Sequence, residues 1–200
     1  MIDNLEQVKE LLNFSDKGDF YMLYVFKRKK DQPEGERDNH QSVRTIKTYC
    51  IESVDHLERR YDEIKDLCEH FKARAYIHVQ KQNHQDVSLD MLATLAERIK
   101  NGATNQKGLF DSVVGQIKTQ EKRWIVDIDT KDEKFVGNLM CDLDDIQPAG
   151  NKVEAVIPTK NGFHLITSKF NVLEFGKIYP DVDIQKKNPT LLYYPNSLDV

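Results

Sequence analysis

The chain reads as a mixed α/β protein of two units, and three observations carry that reading. Apolar residues recur at steps of three and four in some segments. Other segments are short aromatic or β-branched runs bounded by polar, glycine-containing stretches. The segments of the second half fall in the order β-α-β-β-α-β. With 200 residues, 39% of them hydrophobic and 31% charged, the chain is long enough to bury a sizeable core. No internal repeat or low-complexity tract interrupts it.

From the N-terminus, Ile2, Leu5, Val8, Leu11 and Leu12 predict a helix over residues 2–14. Phe20–Phe26 and Val43–Ile51 predict two strands that pair across the polar segment Asp31–Gln41. Ser53 is placed to cap a helix over Val54–Ala73, whose Leu57, Tyr61, Ile64, Cys68 and Phe71 line one face. A strand over Ala75–Gln80 follows, then helices over Leu89–Ile99 and Leu109–Ile117. The glycine-containing linker Asn101–Gly108 separates them and divides the chain into an N-terminal αβ unit (1–108) and a second unit (109–200). Within the second unit the expected elements are strand Arg123–Asp129, helix Asp132–Leu143, strands Val153–Pro158 and Phe163–Phe170, helix Val172–Ile178 and strand Val182–Gln185. Their order is the ferredoxin-like arrangement also used by RNA-recognition (RRM-like) domains. Leu191–Tyr194 predicts one more strand.

Composition narrows the function. A net charge of −4 and a pI near 5.9 exclude a binder that neutralises phosphate over its whole surface. The basic run Lys27–Lys30 reads as a strand end entering a solvated loop rather than a phosphate patch. No apolar run approaches the roughly 18 residues of a membrane span, and Met1–Glu6 has neither the basic nor the apolar region of a secretion signal. Cys50, Cys68 and Cys141 form no C-x-x-C pair, and three thiols cannot close a complete disulfide framework. A cytoplasmic protein without membrane partners is expected.

The chemistry concentrates near the second half of the chain. Trp124–Asp129 is an apolar strand carrying two carboxylates, Asp127 and Asp129, two residues apart. Period-two geometry puts both on one face with Cα atoms about 6 to 7 Å apart. Such a pair repels itself unless a cation intervenes, which points to a divalent metal; acids that are solvated or cap the next helix are the alternative. Downstream, Gly162-Phe163-His164 places a histidine on a strand just after a glycine turn. Lys160, Lys169 and the Asn161–Gly162 backbone supply donors suited to a triphosphate, while a hydrogen-bonded structural histidine is the plainer alternative. A third acid follows at Asp181 or Asp183, and Asp183 is preferred because Val182 and Ile184 anchor it whereas Asp181 follows Pro180 at the strand's start.

In this pattern the chain resembles the archaeo-eukaryotic primase and primase-polymerase family, in particular its compact phage and plasmid members. The motifs of that family are an acid-x-acid pair on a strand, a small residue-x-His on a hairpin and an acid on a later strand, all on an RRM-like unit. Asp127 and Asp129, Gly162-Phe163-His164 and Asp183 match them in order, and the resemblance runs from residue 123 to Ser197. Where such members often place a basic residue two positions after the third acid, this chain has Gln185, followed by lysines rather than glycines. The resemblance implies an RRM-like palm packed on the N-terminal unit and template-dependent nucleotidyl transfer, as a primase, a DNA polymerase or both. Asp127, Asp129 and Asp183 would hold two Mg²⁺ or Mn²⁺ ions, and His164, helped by Lys160, Gly162 and Lys169, would bind the incoming nucleotide. Nucleoside triphosphates and a single-stranded or primed DNA template are the implied partners, with any helicase or other replication protein absent or on a separate polypeptide.

Two other classes compete. A D-x-D phosphatase would carry Thr or Val where Lys131 stands, and would place its acids near the N-terminus. A non-catalytic RRM-like module would stack bases on Phe163, Tyr193 or Tyr194, although Phe163 is expected in the core. Neither a P-loop nor a dinucleotide-binding glycine fingerprint is present.

Overall fold

A computed structural model describes residues 1–32, 43–116 and 122–198. Among these residues the protein is mixed α/β, with six α-helices and two antiparallel sheets. The elements are β1 (Ile2–Asp3), α1 (Leu5–Leu11), β2 (Asp19–Arg28), β3 (Val43–Ile51), α2 (Val54–Phe71), β4 (Arg74–His78), β5 (Gln82–Asn83), α3 (His84–Lys100) and α4 (Leu109–Val114). There follow β6 (Trp124–Ile128), α5 (Glu133–Asp145), β7 (Val153–Pro158), β8 (Phe163–Thr167), α6 (Val172–Ile178), β9 (Asp183–Gln185) and β10 (Pro189–Tyr194).

β2 organises the first sheet, whose order is β1-β10-β4-β2-β3, with β5 also paired to β2. Its aromatic and β-branched residues alternate between two cores, as period-two geometry requires. Tyr21, Leu23 and Val25 join Leu57, Tyr61, Ile64 and Cys68 of α2. Phe20 and Met22 meet Val87 of α3 and Leu109, Val113 and Val114 of α4. Ser53 caps α2 by accepting a hydrogen bond from the His56 amide at 3.0 Å.

The second sheet has the order β7-β8-β6-β9. One face, with Val126, Ile128 and Leu165, packs on Val136, Leu139 and Leu143 of α5 and on Phe175 of α6. On the other face, Ile125, Ile157 and Ile166 bury against Leu11 and Val79 of the first unit. A buried lysine ends α5: Lys152 Nζ donates to the carbonyls of Leu143 (2.7 Å), Asp144 (3.2 Å) and Gly150 (2.8 Å). An ammonium there satisfies the Leu143 carbonyl at the helix end, adds to the Gly150 amide on the Asp144 carbonyl, and complements the helix dipole.

The structure differs from the sequence reading in several places. β10 does not join the second sheet: it lies between β1 and β4 of the first, and α4 packs on α3, so both belong with the N-terminal unit. Strand pairing and side-chain burial, set by the tertiary fold, decide that division rather than the polar linker. Ile2 forms a short strand against Tyr194 instead of opening a helix. α3 begins five residues earlier than its apolar pattern, because Asn83 Oδ1 caps the Gln85 amide at 2.9 Å. Of the expected polar segment Asp31–Gln41, residues 33–41 lie outside the described residues, as does Ile117; α4 itself ends at Val114, before Gly115.

Polar ties join the units. Arg123 pairs its Nε with Glu154 (2.6 Å) and donates through a terminal nitrogen to the Leu11 carbonyl (2.8 Å). Asn4, almost fully buried, donates to the carbonyls of Pro158 and Leu191, both at 2.9 Å. All three cysteines are free thiols. Among the described residues no helix is long and apolar enough to cross a membrane.

Candidate active site

β8, β6 and β9 lie side by side, and their register sets the site. Asp127 is the Cα partner of His164 on one side and of Asp183 on the other. Directly opposed residues in antiparallel strands have Cβ atoms about 5 Å apart and share a face. Asp127 therefore projects on the same side as Ile125, toward the first unit, with His164 and Asp183 flanking it.

The side chains form a continuous polar row. His164, 7% exposed, engages Thr190 Oγ1 through Nδ1 at 2.9 Å, and its Nε2 lies 3.4 Å from Asp127 Oδ1. Gln185 Nε2 donates to Asp127 Oδ2 at 2.8 Å and to Asp183 Oδ2 at 3.1 Å. Asn188 in turn donates to Gln185 Oε1 at 3.0 Å. Thr190 comes from β10, so the row bridges both sheets. The His164 contact, supported by Gln185 and the charge of Arg28, holds the Asp127 carboxyl below the usual carboxylate range despite its partial burial.

Gly162 explains how the hairpin seats this histidine. A Cβ on it would lie 1.9 Å from the Ile128 carbonyl oxygen and 2.7 Å from the Thr130 amide nitrogen. The β7–β8 turn thus presses backbone to backbone onto the segment that carries Asp129, a closeness only glycine permits. Thr159 pins the turn: its amide donates to the Gly162 carbonyl (2.8 Å), and its hydroxyl accepts from the Gly162 amide (3.1 Å).

The structure brings Asp127, Asp183, His164 and Gly162 together and separates the remaining expected residues. Asp129 lies just past the end of β6, exposed, and has no strand partner across from it. Lys160 Nζ donates to the Tyr194 hydroxyl at 2.6 Å and sits over the same ring. Lys169 lies beyond the Thr167 end of β8, the end that pairs with Trp124 rather than with Asp127. Among the described residues no group of three or more His, Cys, Asp and Glu side chains is gathered as a metal cage.

Three participants escaped the sequence reading. Gln185 stood out only as a departure from a basic residue, yet its amide is what joins the two carboxylates. Thr190 carries no local signal, since its role exists only because β10 crosses to the other sheet. Arg28, read as a strand end, brings its charge to bear on Asp127. The aromatics expected for base stacking are occupied otherwise: Tyr193 and Tyr194 are buried, at 3% and 1% exposure, and Phe163 packs in the helix-side core. Comparison with protein-family models, with curated proteins and with solved structures found no match to this chain.

Proposed function

We propose that the protein is a metal-dependent nucleotidyltransferase of the primase-polymerase kind, acting on nucleoside triphosphates with a single-stranded or primed DNA template. The observation that carries this reading is the alignment of His164, Asp127 and Asp183 across three adjacent strands on one sheet face. The β-α-β-β-α-β order and the arrangement β7-β8-β6-β9 support reading that sheet as an RRM-like palm.

The donor set fits Mg²⁺ or Mn²⁺. Oxygens of Asp127 and Asp183 converge on one amide donor of Gln185, so both carboxylates already face a common positive partner, the chemistry a divalent cation would offer them. Asp127 and Asp183 would hold the metal, with Asp129 at the open end of the strand. When bound, the ions supply the positive charge that activates a 3′-hydroxyl and stabilises the departing pyrophosphate. His164, held through Nδ1 by Thr190 and 3.4 Å from Asp127 through Nε2, would contact the triphosphate from this face, and the Thr159–Gly162 turn sets its height.

The test is incorporation of labelled nucleotides on a single-stranded template with Mn²⁺, with and without primer. Asp183→Asn and Asp129→Ala should each abolish incorporation, and Asp181→Asn should leave most of it. Mn²⁺ should raise the melting temperature of the native protein but not that of Asp183→Asn. Incorporation by Asp183→Asn at the native rate would overturn the reading, and template binding without any metal effect would favour a non-catalytic nucleic-acid-binding module.

A further inference from the structure

α3 has two apolar faces, and among the described residues only one of them is packed. Val87, Met91 and Leu95 pack on the core that contains Phe20, Met22 and α4. On the other side Leu89, Leu92 and Ile99 are 57%, 66% and 60% exposed, and Ala96 between them is exposed as well. These four follow one another at steps of three, four and three, the seam spacing of a packed helix pair. A solvated helix face has no physical reason to hold three large aliphatic side chains in register.

The charges beside the seam select the occupant. Asp86, Ala93 and Lys100 recur every seven residues along one flank of the stripe. Asp86 in the first turn and Lys100 in the last also suit the helix dipole. The dipole accounts for their signs, but not for their common flank. Two copies of α3 placed antiparallel about a two-fold axis would set Leu89 against Ile99 and Leu92 against Ala96 at both ends of the seam. The same operation would bring Asp86 of each copy to Lys100 of the other and the two Ala93 side chains together at the centre. A parallel pair would lack that match.

We propose that the protein self-associates through α3 as an antiparallel, two-fold symmetric helix pair. The seam from Leu89 to Ile99 is about 15 Å long at helical rise, so the contact lies at the small end of specific interfaces and the dimer is weak and concentration-dependent. This inference is independent of nucleotidyl transfer, because α3 contributes no residue to the candidate active site.

Sedimentation velocity over a range from micromolar to near-millimolar protein tests it. The mass should rise from 23.3 kDa toward twice that value. Leu92→Glu should raise the dimer Kd at least tenfold while leaving the circular dichroism and melting curve of the monomer unchanged, since the side chain is exposed. Asp86→Lys and Lys100→Asp should each weaken association several-fold, and the double variant should recover it, because the exchanged charges meet again only in the antiparallel arrangement. A constant monomer mass over the whole range would overturn the proposal. So would native association by Leu92→Glu, or failure of the double variant to recover.

Discussion

Gly162 shows how one residue can set the geometry of a candidate site by the side chain it lacks. Its missing side chain lets two backbones meet, so Gly162→Ala has nowhere to relax: the obstructing atoms are main-chain atoms of Ile128 and Thr130. Overpacking of this kind costs about 1–3 kcal/mol when side chains can yield, and more when only backbone can. A loss of more than 3 kcal/mol in urea unfolding is expected for Gly162→Ala, with altered chemical shifts at Asp127 and His164. The sequence reading singled out this glycine for a turn, whereas its necessity lies in a close approach between segments far apart in the chain.

Asp127 carries a pH signature. Its carboxyl titrates below its unfolded value, so the native state binds the proton less readily than the unfolded chain. The resulting stabilisation is complete above the unfolded pKa of about 3.9 and is lost as pH falls through the lower, folded value. Asp127→Asn should therefore flatten the acid limb of stability: its urea midpoint should fall less than that of the native protein between pH 5 and pH 2.5. An unchanged acid limb would show that the contact with His164 does not hold the carboxylate in solution.

At the scale of elements, hydrophobic period and β-branched runs located the helices and strands because burial of alternating or three-and-four-spaced residues is written locally. Val153–Pro158 and Val172–Ile178 keep the very limits read from the sequence. The misread ends are those where something non-local competes: Ile2 is drawn into a strand by Tyr194, and the polar first turn of α3 is held by the Asn83 cap. Lys152, just before β7, is a residue on which the sequence carries no signal: its ammonium is 3.2 Å or closer to three carbonyls. Lys152→Met keeps the stem and removes those bonds, taking its charged partner from the buried Leu143 carbonyl, while the Asp144 carbonyl still accepts from the Gly150 amide. Hydrogen bonds to a charged group contribute about 1.5–3 kcal/mol. A drop of roughly 2 kcal/mol is expected in urea unfolding.

At the scale of the whole molecule, the candidate site depends on two sheets staying together. Asp127 and His164 stood out because each lies in an apolar strand or just after a glycine turn, and Asp183 because apolar neighbours flank it; that Asp183 and Thr190 meet them was not legible, because strand pairing across β9 and β10 leaves no periodic trace. Arg123 is the tie that can be cut with least collateral damage, since its guanidinium reaches α1 and β7 from the edge of β6. Trp124, the only tryptophan, lies beside it and reports on the second unit. Arg123→Ala should lower stability by about 1.5 kcal/mol or more. Tryptophan fluorescence should then lose coincidence with circular dichroism during unfolding, whereas in the native protein the two should coincide.

The position of β10 has a consequence for biosynthesis. The edge of β4 toward Pro189–Tyr193 cannot be filled until residues 79–188 have been made. At about 10 residues per second, a nascent chain carries that exposed edge for roughly ten seconds while the second sheet assembles. Unpaired strand edges are templates for pairing between chains. Ribosomes queued on one message would hold several such edges close together, so the yield of soluble protein should depend on how quickly the last strand emerges, and slow codons placed between Asn188 and Tyr194 should lower it.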